Sequence, residues 1–108
     1  MIFFYKLFIK IFRFFGFYAY FSYDGEDQIL EKYFFGIKKG NYIDIGSNHP
    51  VDSSNTFLFY LKGWRGICVD PIPLFKNHYK ILRPKDLFLN AGIKAQNSNK
   101  DDEMNFYF

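Results

Sequence analysis

The chain has 108 residues, 49% hydrophobic and 24% aromatic, which is enough apolar surface for one small core and too little for two. Its formal net charge is only +3, and its single cysteine, Cys68, excludes an internal disulfide, a cysteine zinc cluster and a redox pair. A reducing, cytoplasmic compartment fits this cysteine usage.

Residues 1–23 read as a hydrophobic and basic N-terminal helix. They hold 12 of the 26 aromatic residues, and Lys6, Lys10 and Arg13 fall in one narrow helical stripe. No acid precedes Asp24, so this segment holds the whole net charge, and afterwards 11 bases face 11 acids. Phosphate tracking needs cations spread along one face of a folded domain, so no nucleic-acid partner is expected. Three cations near the centre of a membrane span would each cost about 2.5–3.5 kcal/mol on insertion scales, so the segment is expected to lie on a membrane surface, at the inner face, rather than cross it, the alternative being a helix packed on the domain itself or on a partner. The cations also interrupt the apolar run that a secretory signal requires.

Residues 24–108 alternate between helical and strand-like patterns. Residues 24–36 open with acids, place Ile29, Leu30, Tyr33 and Phe34 at helical spacing and stop at Gly36, predicting a short capped helix. Residues 41–45 predict a first strand. A helix is predicted over 53–62, opened by Asp52, Ser53 or Ser54 as cap, with Phe57, Leu58, Tyr60 and Leu61 as its apolar side and Gly63 as its stop. Trp64, Arg65, Gly63 and Gly66 read as a tight helix-to-strand turn, with Trp64 covering the sheet edge. Residues 66–70 predict a second strand, 74–82 a third helix and 86–90 a third strand. A polar loop follows over 94–103, whose acids Asp101, Asp102 and Glu103 read as solvated rather than metal-binding. Residues 104–108 predict a fourth strand, an aromatic edge that invites pairing with a partner chain.

Two strand ends close on carboxylates, Asp44 and Asp70. Strands of a buried parallel sheet are nearly all apolar, and open sheets of this kind bind ligands outside the carboxyl ends of their strands. Adjacent strands joined by a right-handed crossover would turn both acids to one crevice. Asp70, 24 positions after Gly46, stands where a ribose-binding acid follows the first turn of a nucleoside site. A strand-end aspartate capping the turn at Pro71 is the simpler alternative. The first turn, Gly46-Ser47-Asn48-His49-Pro50, has no GxGxxG to carry a pyrophosphate, and Asp44 would repel one. A carboxylate there suits a cationic ligand such as the sulfonium and ammonium of S-adenosylmethionine. His49, in a loop next to Pro50, reads as structural, and no catalytic residue is assigned.

The stretch YIDIGSNHPVDSSNTFLFYLKGWRGICVDPIP (42–73) resembles the core signature of the FkbM-type methyltransferases. SYDGEDQIL (22–30) is similar to their opening motif, and DLFLNAGI (86–93) to their third strand and its turn. The resemblance implies an α/β, Rossmann-like class I methyltransferase fold over residues 24–108, incomplete, with about four parallel strands and flanking helices. It implies S-adenosylmethionine as cofactor and O-methyl transfer to a hydroxyl of a saccharide or small-molecule acceptor. Asp44, Gly46, Ser47 and Asn48 would line the methionine end, Asp70 would hold the ribose, and Asn90 to Gly92 would approach the adenine. Domains of this type have seven strands, so the chain is expected to be an N-terminal half with weak or no activity alone. The alternatives are a non-catalytic, membrane-attached interaction module and a nicotinamide-dependent oxidoreductase fragment, the latter disfavoured by the missing glycines.

Overall fold

A computed structural model of the chain describes residues 2–14 and 20–94, with side chains at 2–11 and 20–94. Four helices and three strands occur among them: α1 (Ile2–Phe14), α2 (Glu26–Tyr33), β1 (Asn41–Ile45), α3 (Phe57–Leu61), β2 (Arg65–Val69), α4 (Phe75–Leu82) and β3 (Leu87–Leu89). The strands form one parallel sheet in the order β1-β2-β3, with Asp44 level with Cys68 and Cys68 level with Phe88. The architecture is therefore α/β, a small parallel sheet with flanking helices. The predicted fourth strand and the polar loop beyond Lys94 lie outside the described residues.

The core lies where α1 crosses α3. All five residues of α3 are buried, and Phe57 meets the rings of Tyr5 and Phe21 edge-on at 5.4 and 4.8 Å. Ile9, Val51, Leu58, Tyr60 and Leu61 complete the cluster. The helix starts later than the predicted 53–62. Ser53 adopts φ 58°, a left-handed conformation that no helix continues, and Ser54 Oγ accepts the N–H groups of Thr56 and Phe57 at 3.2 and 3.0 Å. Gly63 ends α3 as expected. Arg65, read as part of the turn, is already the first residue of β2 and is followed by Gly66, where the predicted strand began. A Cβ there would stand 2.0 Å from the Tyr42 carbonyl oxygen, so the strands could not keep this register with any side chain at 66. Trp64 is buried against Phe59 and Phe34 and lies over Gly40 at the start of β1.

Two apolar patterns face outward, against expectation. On α2, Ile29 and Tyr33 are exposed, and the helix is anchored instead by Asp27, which is fully buried. The Asp27 carboxylate accepts Phe21 N–H at 2.6 Å and the Ser22 hydroxyl at 2.7 Å, while Ser22 Oγ accepts Asp27 N–H at 3.2 Å. This reciprocal clamp holds the chain entering α2, and Phe34 at its far end packs on Phe59 and Trp64. On β1, Tyr42 and Asp44 turn toward the other side of the strand from Ile43 and Ile45, which are 71% and 60% exposed. Leu87 and Leu89, in register with them through Ile67 and Val69, are exposed on the same face.

Candidate functional site at the strand ends

The carboxyl ends of the three strands are laced together by their following turns. Gly46 and Ser47 donate their N–H groups to Val69 O at 2.8 and 3.0 Å, which folds the turn after β1 over the end of β2. That path requires φ 70° at Gly46 and 63° at Asn48, conformations natural to glycine and tolerated by asparagine. Asn48 N–H then reaches Asp70 Oδ2 at 2.8 Å, and Asn48 O accepts the Tyr79 hydroxyl of α4 at 3.0 Å. Beyond β3, Asn90 Nδ2 donates to Asp70 O at 3.0 Å, and Ala91 N–H donates to the same oxygen. Asp44, Gly46, Ser47, Asn48, Asp70 and Asn90, read from the sequence as one site, thus occupy one end of the sheet.

The two carboxylates differ in what they do there. Asp70 is only 5% exposed and binds backbone on both oxygens, Oδ2 to Asn48 and Oδ1 to Ile72 N–H at 3.0 Å. It performs the turn-capping task that the sequence left as the simpler alternative. Asp44 is half-buried and uses Oδ2 to accept the Thr56 hydroxyl at 2.8 Å. Burial pushes the Asp44 carboxyl above its ordinary value, against the stabilising Thr56 bond and the Arg83 charge, and with a further push from Asp70. Ser47 Oγ is buried and makes no hydrogen bond among the described residues, while the neighbouring Tyr79 hydroxyl donates to Asn48 O.

His49 is fixed by its own loop. Its Nδ1 accepts Val51 and Asp52 N–H at 3.1 and 3.0 Å, which leaves the proton on Nε2. Burial and the neighbouring His78 ring, 5.2 Å away, hold its pKa below the ordinary value, with Asp52 pulling the other way. A general base would need Nδ1 or a deprotonated Nε2, so the imidazole serves the loop, as expected.

The group that positions this end of the sheet is not legible in the sequence pattern. Arg83, at the end of α4, is wholly buried and paired with the equally buried Asp86 at 2.6 Å. It also donates to Pro50 O, Ser54 Oγ, the Tyr42 hydroxyl and Thr56 Oγ1, all within 3.3 Å. Arg83 to Thr56 to Asp44 is a continuous hydrogen-bonded path from the buried pair to the site. Asp86 is held in turn by Gly66 N–H at 2.9 Å and by the Tyr42 hydroxyl. Arg83 and Asp86 flank a proline in a short turn, a pattern that reads locally as solvated charge. Only the convergence of Tyr42, the 50–56 loop and Asp86 on one guanidinium shows otherwise. A cavity of about 500 Å³ runs along α4 past Arg83 and Asp86, and another of about 260 Å³ lies beside β1, lined by Tyr42, Thr56 and Trp64.

Comparison with protein-family models, curated proteins and solved structures returns no match for this chain. The functional reading therefore rests on the residues and their geometry.

Proposed function

We propose that the chain is part of a Rossmann-like S-adenosylmethionine-dependent methyltransferase and supplies its cofactor end, for O-methyl transfer to a saccharide or metabolite hydroxyl. The observation that carries this reading is the gathering of Asp44, the left-handed Gly46–Asn48 turn, Asp70 and Asn90 at the carboxyl ends of three parallel strands. Ligands of open α/β sheets bind at that end. Among the described residues β1 is an edge of the sheet, the place where a fourth strand would reverse the strand order, and β1 carries Asp44.

The residues fit the methionine end of the cofactor best. Asp44 Oδ1 has no partner among the described residues, and a sulfonium or ammonium beside it would offset the burial cost of the carboxylate. The buried Ser47 hydroxyl offers a polar group with unused capacity at the same turn. At the ribose end, each Asp70 oxygen accepts one backbone N–H and keeps one further lone pair with which a ribose hydroxyl could be bound. Sulfonium methyl transfer is an in-line displacement in which positioning supplies most of the catalysis, so no base is assigned. The apolar outer face of the sheet also supports a larger domain, because parallel sheets are normally covered on both sides.

The test is calorimetric titration of the chain with S-adenosylmethionine, S-adenosylhomocysteine and a nicotinamide dinucleotide, with Asp44→Asn alongside. Asn keeps the Thr56 bond and removes only the charge. Binding of the first two ligands, with the sulfonium form weakened about tenfold or more by Asp44→Asn, is the expected result. A folded chain that binds none of them, or prefers the dinucleotide, refutes the reading.

A further inference from the structure

Helix α1 has two apolar sides, and the domain covers only one. Ile2, Tyr5 and Ile9 face inward onto α3. At about 100° per residue, Phe3, Phe4, Leu7 and Ile11 fall on the opposite side, where they are 44–71% exposed. A helix that only closed a core would be polar there. Lys6 and Lys10 stand one turn apart on the border between the two sides, and neither has an acidic partner among the described residues. On that border lies a groove of about 310 Å³, floored by Ile9, Leu58 and Leu61 and rimmed by Lys6, Lys10 and Lys62. Lys62 Nζ is held at 2.9 Å by Glu31.

We infer that this side of α1 docks on a bilayer containing anionic phospholipid. Phe3, Phe4, Leu7 and Ile11 enter the boundary between headgroups and acyl chains with the helix axis in the membrane plane, and the lysine-rimmed groove seats a lipid phosphate. The groove lies about a quarter-turn round from the inserted side, so it meets the phosphates when the apolar side is below them. Charge selects this occupant. A second copy would bring its own Lys6 and Lys10 to the same border and repel, whereas an anionic surface is complementary. Packing sets the orientation, since Ile2, Tyr5 and Ile9 hold one side of α1 against α3 and leave the opposite side for lipid. No described helix is long and apolar enough to cross a membrane.

The experiment is flotation of the full chain with vesicles of phosphatidylcholine alone and of phosphatidylcholine with phosphatidylserine, at low and high salt. Wild type is expected to float with the anionic vesicles and to be released by salt. Lys6→Gln and Lys10→Gln are each expected to weaken that binding about fivefold. Phe3→Ser combined with Leu7→Ser is expected to abolish it while circular dichroism stays unchanged. Three results overturn the inference: a folded wild type that floats with neither vesicle, a Lys6→Gln/Lys10→Gln variant that floats like wild type, or a lipid-free dimer that Phe3→Ser/Leu7→Ser converts to monomer. None of these substitutions touches the strand ends, so cofactor titration on the same variants keeps the two proposals separate.

Discussion

Replacing Arg83 with methionine tests the buried network most directly. The guanidinium is fully buried and its partner Asp86 has no exposed side-chain surface, so the change strands a carboxylate in the interior. Removing one partner of such a pair costs about 3–5 kcal/mol. Asp86 keeps the Gly66 N–H and the Tyr42 hydroxyl, which reduces the cost, but Pro50 O loses its donor, which adds about 1–3 kcal/mol if it stays dry. The sum remains near 3–5 kcal/mol, a third or more of the stability of an ordinary small domain. Urea unfolding followed by the fluorescence of the buried Trp64 would show a midpoint lower by about 2 M or more, for a slope of about 1–1.5 kcal/mol per M. Arg83→Met with Asp86→Asn removes both charges and keeps an acceptor for Gly66, and should recover at least half of the loss. A single-variant cost under about 1 kcal/mol, or strict additivity of the two substitutions, would refute the claim that this pair is dry and coupled.

Burial pushes the Cys68 thiol up to about 11, with Asp86 and Asp44 adding to the push and Arg83 opposing it. The thiol ionises more readily in the unfolded chain, so its contribution to stability is complete below about pH 8.5 and is lost as pH rises toward 11; Cys68→Ala should flatten that decline, and a disulfide reagent at pH 8 should label the native chain only at its unfolding rate. For His49 the depressed pKa gives the opposite sign: stability is lost as pH falls below about 6.5, because the unfolded imidazole takes the proton first. Denaturant midpoints at pH 7 and pH 5 should differ less in His49→Gln than in wild type, and an unchanged difference would remove His49 from the account. Gly66→Ala forces a Cβ against the Tyr42 backbone and should destabilise by about 2 kcal/mol or more, measurable by thermal unfolding, where an unshifted midpoint would mean that the strands separate freely.

Element positions were largely legible because they depend on neighbours in sequence. The predicted first strand coincides with β1, and β2, α4 and β3 fall within one residue of expectation at each end, since short apolar runs between glycine, proline and aspartate signals leave little freedom. The start of α3 moved four residues because the sequence offered three caps and could not reveal that Ser53 is left-handed. For the site, the sequence identified which residues gather at the strand ends. It could not tell that Asp70 would take a backbone donor on each oxygen while Asp44 kept Oδ1 without a partner among the described residues, because that depends on how the 46–56 loop crosses β2.

The sequence by itself determined an α/β chain with strand-end acids at 44 and 70 and with its net charge confined to the first 23 residues. Pattern and composition are local properties, and the chain carries them into any fold. Tertiary structure alone decided which apolar residues are covered. Ile29, Ile43 and Phe3 are as hydrophobic as Phe57 and Leu58, yet they lie outside, while the charged Asp27, Arg83 and Asp86 lie inside. Burial is settled by what packs across the gap and by whether each buried charge finds its hydrogen-bonding partners, and those partners come from segments distant in sequence.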